Sequence, residues 1–223
     1  MTRTALVAGA SGLVGGHAVR LLLADTDYER VTTLGRRELP FTHKKLAHRV
    51  VDFERLTELA DFPRVHDVFC CLGTTIRQAG SQDAFRKVDF TYVLALAQVA
   101  LRHRASQFLF VTAVGADPGS RVFYSRVKGE VEQAVKRLQF DGIHIFRPSF
   151  LIGRRAAIRP AELVAALLSP LVSWAMVGRL GRYRPIRAET VARAMIRAAR
   201  EAARGVHVYE SDGIRRLAAR PTA

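Results

Sequence analysis

The chain has 223 residues, of which 49% are hydrophobic and 25% charged, with 16 Gly and 8 Pro. This composition is typical of a globular protein and excludes a disordered, collagen-like or coiled-coil chain, and the length predicts one domain with an elaborated end. The formal net charge of +15 favours an anionic ligand. The basic residues are nevertheless spread along the chain without the aromatic or zinc-type spacing of nucleic-acid binders, so we expect a solvated basic surface and no dedicated nucleic-acid site.

The two cysteines, Cys70 and Cys71, are adjacent, which excludes a disulfide-stapled secreted domain. We interpret them as small buried strand residues and not as a redox site. The N-terminal sequence runs into glycine without a secretory signal, so we expect a cytoplasmic location. The most apolar window, Leu163–Gly178, is 16 residues long and contains Pro170, so it is too short for a membrane span. We expect it to line a substrate cleft or a subunit contact.

Apolar β-rich runs alternate with helical patterns over most of the chain. The predicted strands are Thr4–Ala8, Arg30–Leu34, His48–Phe53, Asp67–Leu72, Gln107–Thr112 and Gly142–Phe146. The predicted helices are Val14–Ala24, Asp83–Arg102 and Tyr124–Leu138. This alternation predicts an α/β fold: a doubly wound parallel sheet with helices on both faces.

After Pro148 the pattern changes to the apolar window, a loop rich in Gly and Arg, a helix over Glu189–Arg204, a strand over Gly205–Glu210 and a short final helix. This stretch is too small for a second domain. We therefore expect a single domain over residues 1–223, in which residues 148–223 form an appendage on the substrate side, over the carboxyl ends of the strands.

A G-x-x-G-x-x-G run from Gly9 to Gly15 joins the first strand to the first helix. Glycine permits the tight turn, lets the backbone approach a pyrophosphate, and lets the helix pack close to the sheet. In this context the run predicts a Rossmann dinucleotide site, and the alternative is a turn without a ligand. The residues expected at the cofactor are Gly9, Ala10, Ser11, Gly12, Leu13 and Val14.

Arg36 and Arg37 follow the second strand, where an NAD site commonly carries an acidic residue for the ribose. Two guanidiniums suit a 2′-phosphate, so the pair favours NADP(H) over NAD(H), the alternative being two ordinary surface charges. Further cofactor contacts are expected after the third and fourth strands, from Asp52, Phe53, Cys71, Leu72, Gly73 and Thr74.

Tyr124 and Lys128 form a Y-x-x-x-K motif at the start of a helix after the fifth strand. A spacing of four residues places both side chains on one face of that helix. A nearby ammonium favours the phenolate and makes a tyrosine useful in acid–base catalysis near neutral pH. On its own the motif is weak, but in a dinucleotide fold it predicts a catalytic pair.

These residues together resemble the atypical and extended short-chain dehydrogenases/reductases, in the Tat-interacting-protein-like branch with its bacterial relatives. The resemblance covers nearly the whole chain and is carried by GASGLVG, the GRR after the second strand, VVDFE, HDVFCCLGTT, VDFTYVLALA, YSRVKGEVE and FRPSFLIG. It implies that Tyr124 donates the proton and that Lys128 binds the nicotinamide ribose and lowers the tyrosine pKa. It also implies that Pro148, Ser149, Phe150 and Leu151 lie beside the nicotinamide.

The chain departs from this family in two places. The serine or threonine that orients a substrate carbonyl is expected as the second residue of a pair after the fifth strand, and that residue is Ala113, so Thr112 is the candidate substitute. The family's catalytic asparagine in the fourth helix has no certain counterpart. Catalysis by Tyr124, Lys128 and Thr112 is therefore less securely predicted than cofactor binding.

The sequence accordingly supports two functions. The first is an NADPH-dependent oxidoreductase, or an epimerase or dehydratase with the same machinery, acting on a small organic molecule. The alternative is a regulatory or sensor protein that binds NADP(H) with little or no catalysis. The seven histidines lack metal-ligand spacing, so no metal is expected. The sequence leaves open whether the chain forms a homo-oligomer.

Overall fold

The computed structural model describes residues 2–59, 61–152 and 184–220. In this part of the chain the strands are β1 (Arg3–Ala8), β2 (Tyr28–Gly35), β3 (Leu46–Val50), β4 (Asp67–Cys70), β5 (Gln107–Val111), β6 (Gly142–Arg147), β7 (Leu151–Ile152), β8 (Ile186–Arg187) and β9 (Gly205–Glu210). Seven of them form one parallel sheet in the order β3-β2-β1-β4-β5-β6-β9, and β7 pairs with β8 in a separate ladder.

Helices cover both faces of the seven-stranded sheet. The described helices are α1 (Leu13–Ala24), α2 (Ile76–Ala79), α3 (Gln82–Arg86), α4 (Tyr92–Arg102), α5 (Phe123–Lys136), α6 (Ala188–Glu201) and α7 (Ser211–Ala219). Helices α1 and α6 share one apolar core with alternate strand residues, and α4 and α5 share another with the residues between them. The predicted doubly wound parallel sheet is confirmed.

The strand order reverses beside β1, since β2 and β3 lie on one side of it and β4 to β6 on the other. In open parallel sheets, ligands bind at such a reversal, in the crevice outside the carboxyl ends of the strands. The glycine run follows β1 and the segment 71–74 follows β4, so both lie at this crevice.

The third strand lies earlier in the sequence than predicted. It was expected over His48–Phe53, but β3 covers Leu46–Val50, and a 3₁₀ helix follows over Phe53–Glu58. The Asp52 side chain accepts a hydrogen bond from the backbone N–H of Glu54 and so starts that helix.

The predicted helix over Asp83–Arg102 is interrupted. Helix α3 and helix α4 are joined by a π-helical turn over Lys87–Thr91, in which the N–H of Tyr92 donates to the carbonyl of Lys87. Such π turns recur at functional sites because they shift the helix register locally. Here the turn contains Asp89, which is buried.

The C-terminal part contributes to the main sheet. Helix α6 packs against α1, and β9 pairs with β6 as an edge strand. Residues 188–210 therefore extend and cover the sheet, and a roof formed by residues 148–223 over the carboxyl ends of the strands stays a prediction. The apolar window Leu163–Gly178 lies outside the described residues. Within the residues that are described, no helix is both long and apolar enough to cross a membrane.

A chain of buried polar side chains crosses the amino ends of the strands, away from the crevice. Asp67 accepts hydrogen bonds from Arg3 at 2.6 and 2.8 Å and from the amide of Gln107 at 2.8 Å. His144 continues the chain, with Nε2 at 3.1 Å from the Gln107 amide oxygen and Nδ1 at 3.2 Å from the Tyr209 hydroxyl. These contacts satisfy polar groups that would otherwise be costly to bury.

Candidate functional site

The glycine-rich turn after β1 is shaped by close backbone contacts. Gly9 has φ of +87°, and a Cβ atom there would lie 2.5 Å from the carbonyl oxygen of Cys71. A Cβ atom at Gly15 would lie 2.2 Å from the carbonyl oxygen of Gly9, so both positions require glycine. Helix α1 begins at Leu13 with Gly12 as its N-cap, and no side chain caps it. The first-turn N–H groups therefore stay available to an anion.

The segment after β4 runs between this turn and the Y-x-x-x-K helix. The N–H of Cys71 donates to the carbonyl of Ala8 at 2.8 Å, which ties the segment to β1. A Cβ atom on Gly73 would lie 3.5 Å from Asp89 Oδ1 and 3.9 Å from Lys128 Nζ. The predicted neighbours of the cofactor, residues 71–74, thus lead from the glycine turn to the lysine.

Lys128 is held by an acidic residue that the sequence did not single out. Its Nζ lies 2.7 Å from Asp89 Oδ1, and the other carboxylate oxygen accepts the backbone N–H of Thr74 at 2.9 Å. Only 5% of Lys128 and 1% of Asp89 is exposed. Burial alone lowers the pKa of Lys128, but the charge of Asp89, followed by that of Tyr124, outweighs burial and raises the pKa above its ordinary value. The ammonium is therefore charged at neutral pH.

Tyr124 lies one helical turn before Lys128, at the start of α5. The centre of its ring is 6.0 Å from Lys128 Nζ and 5.3 Å from the centre of the Phe85 ring. Phe85 is fully buried, and Tyr124 is partly exposed. The tyrosine is therefore supported on one side by an aromatic ring and remains accessible beside a cation, as an acid–base group requires.

Thr112, the candidate for the missing substrate-orienting hydroxyl, is 5% exposed and already has a partner. Its hydroxyl donates to Glu132 Oε1 at 2.7 Å. Arg147 binds the same carboxylate with two hydrogen bonds, of 2.9 and 2.5 Å. A hydroxyl has one proton to donate. A role of Thr112 at a substrate carbonyl stays a prediction, and it requires the bond to Glu132 to break.

Arg36 and Arg37 follow the last residue of β2, Gly35, and both side chains are exposed. Many other arginines of the described chain form ion pairs with carboxylates, for example Arg3 and Arg147. Within residues 2–59, 61–152 and 184–220, neither guanidinium of the Arg36-Arg37 pair has a hydrogen-bond or ion-pair partner. Both remain free to bind an anion.

Asp52 and Phe53, the predicted neighbours of the adenine, lie after β3. One oxygen of Asp52 accepts the N–H of Glu54 at 2.9 Å. Phe53 is buried, and its ring lies 5.7 Å from that of Tyr92. Asp52 is thus the more accessible of the two at the edge of the crevice.

Residues 148–151 leave the carboxyl end of β6. The carbonyl of Pro148 accepts the N–H of Val114, and the N–H of Ser149 donates to the Ser211 hydroxyl at 2.8 Å. Phe150 is 46% exposed. Leu151 begins β7, so the segment predicted to lie beside the nicotinamide is tied to the sheet edge at several points.

The two thiols show no sign of reactivity. Burial raises the pKa of the Cys70 thiol to about 12 and that of Cys71 higher still, so both are protonated at neutral pH. Among the described residues, no group of three or more His, Cys, Asp or Glu side chains could hold a metal ion.

Asp89 and Glu132 are the residues of the candidate site that sequence reasoning missed. Each is an acidic residue almost fully buried in or beside a helix that packs on the sheet. Such residues are rarely buried unless they are paired, so an acidic side chain on an apolar helix face was the available signal. The π-helical turn that carries Asp89 inward has no sequence signature of comparable strength.

Curated relatives match most of the chain. Protein HTATIP2 of Rattus norvegicus is 41% identical over 167 residues, which cover 73% of this chain and 69% of that protein. The mitochondrial protein FMP52 of Saccharomyces cerevisiae is 37% identical over 155 residues, or 67% of this chain and 66% of that protein. The resemblance to the Tat-interacting-protein-like branch is confirmed.

The expected cytoplasmic location is contradicted by the same comparison. The fungal relatives, from Saccharomyces cerevisiae and Emericella nidulans among others, are named as mitochondrial proteins. The expectation depended on a missing secretory signal. Mitochondrial import uses basic amphipathic segments instead, so this criterion does not bear on it.

Solved structures share the fold at low sequence identity. The Bordetella bronchiseptica enzyme WbmH in complex with NAD+ has a TM-score of 0.70 at 16% identity, covering 95% of this chain and 76% of that one. Human epimerase family protein SDR39U1 with NADPH has a TM-score of 0.64 at 18% identity, covering 92% and 75%. A short-chain dehydrogenase/reductase family oxidoreductase from Burkholderia thailandensis has a TM-score of 0.66 at 21% identity, covering 96% and 93%.

One protein family matches the sequence over almost all of the described fold. Residues 5–210 match the NAD dependent epimerase/dehydratase family, from β1 through the last strand of the main sheet. Together with the relative at 41% identity, this match establishes that the chain belongs to the NAD dependent epimerase/dehydratase family.

Proposed function

We propose that the protein is an NADP(H)-dependent oxidoreductase, or an epimerase or dehydratase with the same machinery, that acts on a small organic molecule. The observation that carries this proposal is the position of Lys128 next to Gly73, with Tyr124 one turn earlier on the same helix. Gly73 belongs to the segment that continues β4, beside the glycine turn. An acid–base pair and an anion-binding helix start therefore border the same crevice.

The residues around the crevice fit a dinucleotide. The backbone at Gly9 and Gly15 is packed too closely for any side chain, and α1 starts without a side-chain cap. A pyrophosphate bound there would receive hydrogen bonds from the first-turn N–H groups and the favourable field of the helix dipole. Residues 9–14 would hold the pyrophosphate, and residues 71–74 would lie along the cofactor towards Lys128.

The preference for NADP(H) is proposed from Arg36 and Arg37. Both guanidiniums are exposed and unpaired within the described part of the chain, and they occupy the two positions directly after β2, where an NAD site commonly carries an acidic residue. A 2′-phosphate would gain two charge-assisted partners. Relatives in fold are known with either cofactor, WbmH with NAD+ and SDR39U1 with NADPH, so the fold does not decide the preference.

Lys128 and Tyr124 would divide the acid–base work. An ammonium has three N–H donors, and Asp89 uses one of them. The other two N–H groups would bind the ribose hydroxyls. The positive charge of the ammonium would favour the phenolate of Tyr124. A bound nicotinamide supplies or accepts the hydride. Tyr124 would exchange the proton with the substrate oxygen, and residues 148–151 would flank that position.

One observation favours the alternative of an NADP(H)-binding regulatory or sensor protein. Ala113 carries no hydroxyl, and the Thr112 hydroxyl donates to Glu132. A substrate carbonyl would then lack the second donor that positions it. Cofactor binding does not depend on either residue. A regulatory or sensor protein would therefore bind the dinucleotide without converting a substrate.

The two functions are separated by two readouts with a panel of aldehydes, ketones and nucleotide sugars: NADPH oxidation, followed at 340 nm, and chromatography of the products. A reductase consumes NADPH with at least one class of carbonyl compound, whereas an epimerase or dehydratase returns the hydride to its product and converts a compound without net NADPH consumption. The sensor binds NADPH in titration calorimetry but leaves every compound unchanged. A protein that binds neither dinucleotide would contradict both functions.

A further inference from the structure

The loop that carries Arg36 and Arg37 is fastened to the sheet by one histidine. His48 lies on β3, opposite Thr33 of β2. Its Nε2 lies 3.0 Å from the carbonyl oxygen of Arg37, and its Nδ1 lies 2.8 Å from the hydroxyl of Thr33. The imidazole side chain is only 10% exposed, although the arginines beside it are exposed.

The partners of the ring define where its proton lies. The carbonyl of Arg37 can only accept, so Nε2 of His48 carries the hydrogen and donates it. The hydroxyl of Thr33, which is completely buried, then donates to Nδ1. Both ring nitrogens are thus used, and the ring connects the interior of β2 with the backbone of the loop.

The end of β2 is also packed against this ring. A Cβ atom on Gly35 would lie 3.1 Å from Cε1 of His48 and 3.3 Å from the carbonyl oxygen of Arg37. The loop therefore turns directly over the imidazole. The carboxylate of Glu38 is 3.9 Å from Nε2 and largely solvated, so the bond to the Arg37 carbonyl is the shorter of the two contacts.

We propose that His48 is the positioning residue for cofactor selectivity: by holding the Arg37 carbonyl, it fixes the loop so that both guanidiniums face the 2′-phosphate of NADP(H). This inference rests on the proposed NADP(H) preference. His48 does not touch the phosphate itself. Without His48 the loop keeps both guanidiniums but no longer holds them towards the 2′-phosphate. The discrimination between NADPH and NADH therefore falls, while NADH binding is unaffected.

The test measures dissociation constants for NADPH and NADH on the full chain and on His48→Leu, His48→Asn and His48→Gln. A glutamine amide reaches the place of Nε2 and can donate to the Arg37 carbonyl. An asparagine amide reaches only the place of Nδ1. We expect the leucine and asparagine variants to lose about tenfold in the ratio of the two constants, as for one lost hydrogen bond, and His48→Gln to recover most of it.

His207 offers a matched control. Its Nε2 lies 2.9 Å from the carbonyl oxygen of Arg204, so His207→Leu removes the same kind of bond on the edge strand β9, at the other side of the sheet. That variant should keep the selectivity of the unmodified protein. Circular dichroism and thermal melting establish that each variant is folded before its ratio is interpreted.

The outcomes separate this inference from the function on which it rests. If the unmodified protein binds NADH as tightly as NADPH, the proposed preference is wrong and the role of His48 falls with it. If the unmodified protein prefers NADPH and folded His48→Asn keeps that preference, only the inference is wrong. A parallel loss of NADPH and NADH affinity in all three variants would reduce His48 to a general structural role and would also overturn it.

Discussion

Lys128 Nζ and Asp89 Oδ1 lie 2.7 Å apart in a place where both side chains are almost fully buried. Breaking a buried pair by removing one partner leaves an uncompensated charge and costs about 3–5 kcal/mol, whereas removing both costs much less. The pair therefore couples the π-helical turn to helix α5, and its strength can be measured.

We expect Asp89→Asn and Lys128→Met each to lower the free energy of unfolding by about 3 kcal/mol, and the double variant to lose clearly less than the sum. Urea unfolding of the four proteins gives the coupling energy. The exposed pair of Arg216 and Asp212, which are 2.8 Å apart, is the control, and its cycle should give less than about 1 kcal/mol. Equal coupling in the two cycles would contradict a special role of burial.

Tyr124→Phe should reduce turnover by about 100-fold or more and leave NADPH affinity nearly unchanged, since it deletes the proton donor and keeps the ring against Phe85. Lys128→Ala should lower both, because it removes a ribose contact and the neighbouring charge. Tyr209→Phe is the control, because it removes a tyrosine hydroxyl of the edge strand β9 that lies 3.2 Å from His144 Nδ1. Stopped-flow NADPH oxidation with any accepted carbonyl compound is the measurement. Unchanged rates in Tyr124→Phe would remove this tyrosine from the mechanism.

Thr112→Val tests what the buried hydroxyl does. Since that hydroxyl donates to Glu132, we expect a loss of about 1–2 kcal/mol in stability, from the carboxylate left with one partner fewer. The rate of NADPH oxidation should stay within about threefold of the unmodified protein. A rate loss of about 100-fold at intact stability would instead identify Thr112 as the group that orients the substrate carbonyl.

Replacing Arg36 and Arg37 together by alanine should remove most of the preference for NADP(H). Each lost charge-assisted contact costs about 1.5–3 kcal/mol of NADPH binding, and NADH binding should change little. The control is Arg20→Ala with Arg30→Ala, which removes the same charge from exposed positions away from the carboxyl end of β2. Calorimetric titration is the measurement, and equal or tighter binding of NADH compared with NADPH by the unmodified protein would refute the expectation.

His144 should make the protein sensitive to mild acid. Burial, followed by repulsion from His207, lowers the pKa of His144 to about 4 from an ordinary value of 6.5. The folded state therefore favours the neutral ring. The contribution of this ring to the free energy of unfolding is complete above pH 6.5 and is lost as the pH falls towards 4. The loss amounts to about 3 kcal/mol, because the unfolded chain takes up the proton first.

The comparison for this prediction is His144→Phe, in urea unfolding at several pH values between 4 and 7. The variant starts from a lower stability, since Gln107 and Tyr209 lose a partner. Its stability should vary less with pH over that interval than that of the unmodified protein. Parallel curves for the two proteins would show that the acid sensitivity comes from other groups.

The parts of the fold that short-range patterns determine could be predicted from sequence. The glycine run between β1 and α1, and the spacing of Tyr124 and Lys128, are local signals with direct steric or periodic causes. The family resemblance supplied the link between them. The end of β3 was misplaced because Asp52 competes for the backbone as a helix cap, a choice that apolar patterning does not register.

Contacts between distant segments could not be predicted in the same way. Asp89 meets Lys128 only because a π turn rotates it inward, and Glu132 meets Thr112 and Arg147 only once three elements are assembled. In the sequence, Asp89 and Glu132 are each a single acidic residue in a segment with an ordinary helical pattern. The sequence likewise shows His48 only as a strand residue, and its contact with the loop after β2 is seen only in the folded structure.

The next residue after the lysine of the motif, Gly129, restrains the whole of helix α5. A Cβ atom there would lie 2.2 Å from the carbonyl carbon of Asp117 and from the nitrogen of Pro118, so the helix backbone rests directly on that loop. Because the two backbones pack this closely, a movement of the helix towards the loop would produce a steric clash. We therefore expect Tyr124 to adjust to a bound molecule by rotation about its own side-chain bonds, while the backbone of α5 keeps Tyr124 and Lys128 in place.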